Sequence, residues 1–198
     1  MSLSREQVLG HALAILDQYG FADLSMRRLA TSLGVQPGAL YWHFANKQTL
    51  LTAVAEAILS PRPPVCVPTG SAGTGSAPTA WEPAVRTWAC GLREALLSHR
   101  DGAEVVASVL AVRPATLDPA GEIAAVLMAH AMAAAQARAA GMALLHFVIG
   151  HTVDEQGNAA MAEFGVAQAV DTEAQERFAA GLDLFVAGLG VRLSGGGG

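Results

Sequence analysis

With 198 residues, 52% of them hydrophobic and 15% charged, the chain has room for one ordinary domain or a small domain joined to a larger one. It is apolar enough to point to a large buried interface, a ligand cavity, or both. No uninterrupted apolar stretch reaches the ~18–20 residues of a membrane span. The start MSLSREQVLG lacks the basic-then-apolar order of a secretion signal, so a cytoplasmic chain is expected. The net charge of -5 and the two cysteines, Cys66 and Cys90, argue against a strongly basic nucleic-acid binder, a disulfide framework and a zinc cluster.

Abundant alanine and the absence of alternating β-branched runs favour helices. Ser4 and Gln7 have capping-box spacing, and Val8, Ala12, Ile15, Leu16 and Tyr19 follow at helical intervals until Gly20. Ser25 can cap a short second helix ending at Gly34. A third begins at Gln36-Pro37, with proline in the first turn, and runs to near Phe44. Asn46 can cap a fourth over 47–59. Residues 60–78, rich in proline and glycine, read as a linker or loop; its GSAGTGS stretch lacks the Lys-Ser/Thr pair of a phosphate loop. Helices are predicted again over 80–99, 102–112, 119–132, 135–157, 159–169 and 173–193. Asp118-Pro119 marks one start, and Thr172 with Gln175 marks another. The glycine tail at 195–198 reads as disordered. The predicted class is all-α: a three-helix N-terminal helix-turn-helix domain (1–46), a connecting helix (47–59), then a larger helical domain (79–194).

Two short helices between Ser25 and Phe44, with a tight turn at Gly34, have helix-turn-helix spacing. Leu29, Ala30, Leu33, Val35 and Leu40 suit packing between them. Gln36, Pro37, Gly38, Ala39, Tyr41, Trp42 and His43 are left over to face a DNA groove. Gln36 can pair with adenine, Ala39 can touch a thymine methyl, and Arg27 suits guanine. Tyr41, His43, Lys47 and Ser25 suit phosphates, helped by the helix dipole at Met26 and Arg27. Charge does not advertise this role. Over residues 1–60, Arg5, Arg27, Arg28 and Lys47 balance Glu6, Asp17, Asp23 and Glu56. By spacing alone, Tyr41-Trp42-His43 reads equally well as a packed aromatic cluster.

The segment LSMRRLATSLGVQPGALYWHFANKQTLLTAV closely resembles the DNA-binding domain of the TetR family of regulators. Further on, LREALLSHRDGAEV, HFVIGHTVDEQ and RFAAGLDLFVAGLGVRL resemble, in order, stretches of that family's tetracycline-repressor branch. The resemblance implies a repressor that binds a palindromic operator in double-stranded DNA and is released by a small-molecule effector. It also implies a homodimer joined through the helices near 135–157 and 173–193. On the second of these, Leu182, Leu184, Phe185, Leu189 and Leu193 with Gly181 and Gly188 make an apolar face with close-approach notches.

The chain departs from the tetracycline repressors at the drug site. The metal-ligating histidine of those relatives falls on Val106, a pocket asparagine on Trp88 and a pocket phenylalanine on Leu92. Another histidine falls in Arg62-Pro63, while Arg113-Pro114 and Asp154 match retained positions. A hydrophobic effector is expected instead of a magnesium chelate, held by Trp88, Leu92, Val105, Val109, Leu127, Met128, Leu145 and Phe147. His99, Arg113, His130 and His146 are the candidate polar anchors. No cofactor, metal site or catalytic set is expected. His151 and Glu155, four apart on one face, are too few for a metal. His99-Arg100-Asp101 has no kinase context, and Arg100 with Asp101 reads as a structural pair at a helix junction. The competing reading is a helical small-molecule-binding protein without operator binding.

Overall fold

The computed structural model describes residues 3–62, 81–112, 114–163, 165–166 and 171–195, and these contain helices and no strand. The N-terminal unit comprises α1 (Arg5–Tyr19), α2 (Met26–Leu33) and α3 (Pro37–Leu40), followed by α4 (Lys47–Leu59). Then come α5 (Trp81–Leu97), α6 (Gly102–Ala111), α7 (Pro119–Ala129), α8 (Ala134–Glu163) and α9 (Ala174–Gly195).

The caps form where local chemistry asks for them. Ser4 Oγ accepts from the Gln7 N–H at 3.1 Å, and the Ser4 N–H donates to Gln7 Oε1 at 2.9 Å, a reciprocal box. Asn46 and Thr49 repeat the arrangement at the head of α4. Val8, Ala12, Leu16, Leu24, Leu29, Leu40, Phe44 and Leu50 are buried together, so α1–α3 form a small core closed by α4. That core runs without a break into the one formed by α5–α8. Gly141 of α8 lies so close to α7 that a Cβ there would sit 2.4 Å from the Ala120 carbonyl oxygen. Trp81 packs its ring near Gly190 of α9.

Several expectations are corrected. The predicted helices 135–157 and 159–169 are one helix through Glu163. Gly157-Asn158 does not break it, and the stop is at Gly165, where φ is +71° and the Val166 N–H reaches back to the Met161 carbonyl. The third helix is shorter than expected: after Leu40, residues 41–43 turn, and the His43 and Phe44 N–H groups both donate to the Leu40 carbonyl. Thr172 and Gln175 make no capping box. Asp171 instead accepts from the Glu173 N–H at 3.0 Å, and Gln175 is drawn to Arg93. On α9, Leu182 and Leu189 are buried in their own subunit with Phe178 and Val186, and Gly181 is filled by the Phe147 ring. Only the other side of that helix, with Leu184 at 77% and Val191 at 73% exposure, remains open. Arg100 and Asp101 do not pair: Arg100 lies 3.4 Å from Glu163, and Asp101 accepts from the Phe21 N–H. Residues 63–78 of the expected loop, Arg113, and 196–198 of the tail lie outside the described residues, and Gly195 belongs to α9.

Candidate nucleic-acid interface and ligand site

Ser25 Oγ accepts from the Arg28 N–H at 3.2 Å and so starts α2. Gly34 ends it at φ +67°, a left-handed turn that glycine takes without Cβ strain. Leu29, Ala30 and Leu40 then lock α2 and α3 together, with Leu33 and Val35 half-buried against them. The outward strip consists of Arg27, Gln36, Pro37, Gly38, Tyr41, Trp42 and Lys47, all exposed, with Ser25, Met26, Ala39 and His43 half-buried beside it. Trp42 is 91% exposed, so it is not the core aromatic that spacing alone allowed. Phe44 fills that core position, with the Arg5 guanidinium 4.7 Å from its ring centre.

The near-zero charge of residues 1–60 hides an uneven distribution. Asp23 is paired with Arg28, which also lies over the Tyr19 ring. Asp17 is held by His99 Nδ1 at 2.9 Å and by the Arg100 N–H at 3.3 Å, at the seam with the C-terminal domain. Arg27 and Lys47 are left on the outward strip, where among the described residues no carboxylate pairs with either.

In the C-terminal domain the expected apolar lining is mostly solid core. Trp88, Leu92, Val105, Val106, Val109, Leu127 and Leu145 are buried against one another. A cavity of about 410 Å³ opens beside them, between the end of α6, the start of α7 and the middle of α8. Its walls include Leu110, Pro114, Leu117, Ala120, Met142 and Leu145, so of the expected lining only Leu145 borders it. Phe147 stacks on Phe178 of α9 at 5.5 Å, and Met128 is exposed. The candidate anchors are dispersed. His99 faces Asp17, His146 is exposed, and Arg113 is outside the described residues. His130 donates through Nδ1 to the Val126 carbonyl at 2.9 Å, leaving Nε2 buried and unpartnered among the described residues.

Two partly buried polar clusters escaped sequence reasoning. Glu122 accepts from Trp88 Nε1 at 2.8 Å and from the fork of Arg62 at 3.0 and 3.2 Å, tying the end of α4 to α5 and α7. Arg93 forks onto Glu155 at 2.7 and 3.0 Å, bonds Gln175 Oε1, and lies over the Phe178 ring. A charged residue on the apolar face of α5, between Leu92 and Leu96, was the available cue for the second. His151 donates to the Ala174 carbonyl at 3.0 Å and lies 4.0 Å from Glu155. Among the described residues no group of three ligands could hold a metal, and no helix is long and apolar enough to cross a membrane.

The profile described as bacterial regulatory proteins, tetR family, matches residues 8–54, and that of the tetracyclin repressor-like C-terminal domain matches residues 74–175. The chain belongs to the TetR family. It is a DNA-binding transcriptional regulator of that family, with the N-terminal unit as its helix-turn-helix part. It is 37% identical over 161 residues to the class C tetracycline repressor protein of Escherichia coli, covering 81% of this chain and 70% of that one. The solved structure of Mycobacterium smegmatis BioQ is 39% identical with a TM-score of 0.78, covering 96% of this chain and 99% of that chain. BioQ with its double-stranded DNA operator is 38% identical with a TM-score of 0.73, covering 94% and 98%. A TetR variant from Acinetobacter baumannii AYE in complex with minocycline is 33% identical with a TM-score of 0.75, covering 96% and 98%.

Proposed function

We propose that this TetR-family regulator binds a palindromic operator as a twofold dimer and is released from it by a small hydrophobic effector. The observation that carries the reading is the outward strip from Gln36 to Trp42. It is open to solvent, flanked by Arg27 and Lys47, and the nearby carboxylates of Asp17 and Asp23 are engaged elsewhere. Arg27, Gln36 and Ala39 read base edges, with Pro37 and Gly38 allowing close approach of the backbone. Tyr41, Trp42, His43, Lys47, Ser25 and Met26 line the sugar–phosphate backbone. Dimerisation through α8 and the open side of α9 covers Leu184, Val191 and the half-buried Phe185, and sets two recognition helices about one DNA turn apart. Because Asp17 and Asp23 are paired away from the strip, the neutral balance of residues 1–60 gives little support to a ligand binder without operator contact.

The effector enters the apolar cavity at the α6–α7 end, whose volume of about 410 Å³ lies within the usual range for small-molecule sites. It lowers DNA affinity by its preference for a conformer with misplaced recognition helices. Magnesium–tetracycline chemistry does not suit the residues present, because Val106 and Trp88 stand where the relatives place polar groups. The direct experiment is a footprint on DNA upstream of the chain's own gene. A protected palindrome is expected, abolished by replacing Tyr41 and Lys47 with Ala. Equal retention of all DNA at moderate salt by wild type and variant refutes the reading.

A further inference from the structure

The turn between α5 and α6 breaks a local rule. Asp101 is the N-cap of α6, a position from which an aspartate ordinarily accepts from the second or third amide of its own helix. Here its side chain makes no such bond. Its carboxylate leaves the helix and accepts from the Phe21 N–H at 2.8 Å, across the seam to the DNA-binding unit. The second amide of α6, that of Ala103, is satisfied by Gln156 Oε1 of α8 at 3.1 Å. Gln156 Nε2 meanwhile donates to the Leu96 and His99 carbonyls at 3.1 and 2.8 Å. One α8 side chain thus serves three backbone groups of the turn and relieves Asp101 of its capping duty.

The turn is under strain. Asp101 has φ +53°, a left-handed conformation that costs a non-glycine residue energy and persists only when its surroundings hold it. The space is also tight: a Cβ on Gly102 would lie 2.4 Å from the Leu96 carbonyl oxygen, and one on Gly20 would lie 2.6 Å from Asp101 Oδ2. Asp17 grips the same turn from α1, through His99 and the Arg100 N–H.

We propose that this junction is a two-position latch, with Gln156 as the positioning residue through which α8 sets the stance of the DNA-binding unit. In the locked position Gln156 caps α6 and Asp101 holds Phe21. When Gln156 withdraws, Asp101 turns back to cap its own helix and Phe21 is released. This route from α8 to the DNA-binding unit is separate from α4. Its DNA-binding consequence rests on the function proposed above, but the latch itself is measurable without DNA.

The experiment is amide hydrogen exchange on the full chain, comparing wild type with Gln156→Met, which keeps side-chain volume but loses all three bonds. Exchange at the buried Leu144 amide of α8 reports global opening. Beyond that baseline, exchange at Phe21, which Gln156 does not touch, is expected to rise at least tenfold. Asp101→Ala should raise it alone, and the double variant should exchange no faster at Phe21 than Asp101→Ala. Acceleration confined to Ala103 and the turn, with Phe21 unchanged, overturns the latch, as does a double variant showing the product of both effects. Gln156→Ala repeats the measurement should the Met variant pack badly. With upstream DNA, each variant should weaken binding at least fivefold. Failure of the wild type to bind that DNA defeats the operator reading and leaves the exchange result to decide the latch.

Discussion

Replacing Arg93 by Met probes the most deeply buried ion pair described in the protein. The arginine side chain is 10% exposed and its partner Glu155 21%. Among the described residues the variant leaves Glu155 with no ion-pair partner but the His151 ring, at 4.0 Å. Breaking such a pair from one side typically costs ~3–5 kcal/mol. The residual exposure of Glu155 places this case near the lower end, at ~3 kcal/mol. Glu155→Leu leaves a buried guanidinium with Gln175 and the Phe178 ring still present, so a loss of ~2 kcal/mol is expected. The double variant strands no charge and should lose no more than ~2 kcal/mol, against ~5 kcal/mol for independent losses. Urea denaturation at one fixed protomer concentration measures all four proteins on the same footing. A double variant as unstable as the two singles combined would show that the pair is not coupled, and the account of the α5–α8–α9 junction would fail.

Gly141→Ala drives a methyl against the Ala120 carbonyl oxygen, a backbone atom that cannot swing aside. A loss of ~1–3 kcal/mol is expected, and an unchanged Tm would show that α7 and α8 are not held that close. Trp88→Phe removes one donor from Glu122 while leaving Arg62 in place, so ~1 kcal/mol should be lost with no change in the urea m-value. Lys47→Ala should lower the slope of log affinity against log salt by about 0.9 on operator DNA, weakening all sequences alike. The Asp171 carboxyl is held below the ordinary carboxylate value, first by the hydrogen bond from Arg177 and also by the Glu173 N–H. A group lowered on folding stabilises above its unfolded value, and that contribution fades as pH falls through the folded one. The Tm difference between wild type and Asp171→Asn should therefore be flat from pH 7 to about 4 and shrink below it.

The helix-turn-helix was legible because its signals are local: the Ser25 cap, the Gly34 stop, Pro37 in a first turn, and apolar spacing that matches the buried Leu29, Ala30 and Leu40. The cavity was less legible. Trp88, Leu92, Val105 and Val109 were identified as apolar, but apolarity does not distinguish a residue that fills a core from one that walls a void. The predicted gap between 157 and 159 does not form, because weak helix formers such as Gly157 and Asn158 break a helix only where tertiary context does not override them. On α9, Leu182 and Leu184 differ by two residues and face opposite ways, a distinction that depends on where α8 lies. The clusters around Glu122, Arg93 and Gln156 join residues 34 to 82 positions apart, beyond any local pattern.

The three tryptophans stand at three depths: Trp42 almost fully in water, Trp81 at the edge of α9, and Trp88 sealed in the core with its indole N–H bonded to Glu122. An indole in water emits at longer wavelength than one in an apolar, hydrogen-bonded enclosure. The regulator therefore carries its own two-colour label. Contact with DNA should register at the red edge of its emission, through Trp42. A rearrangement of the core around Trp88 should register at the blue edge. A single optical titration can then follow both ends of the protein at once.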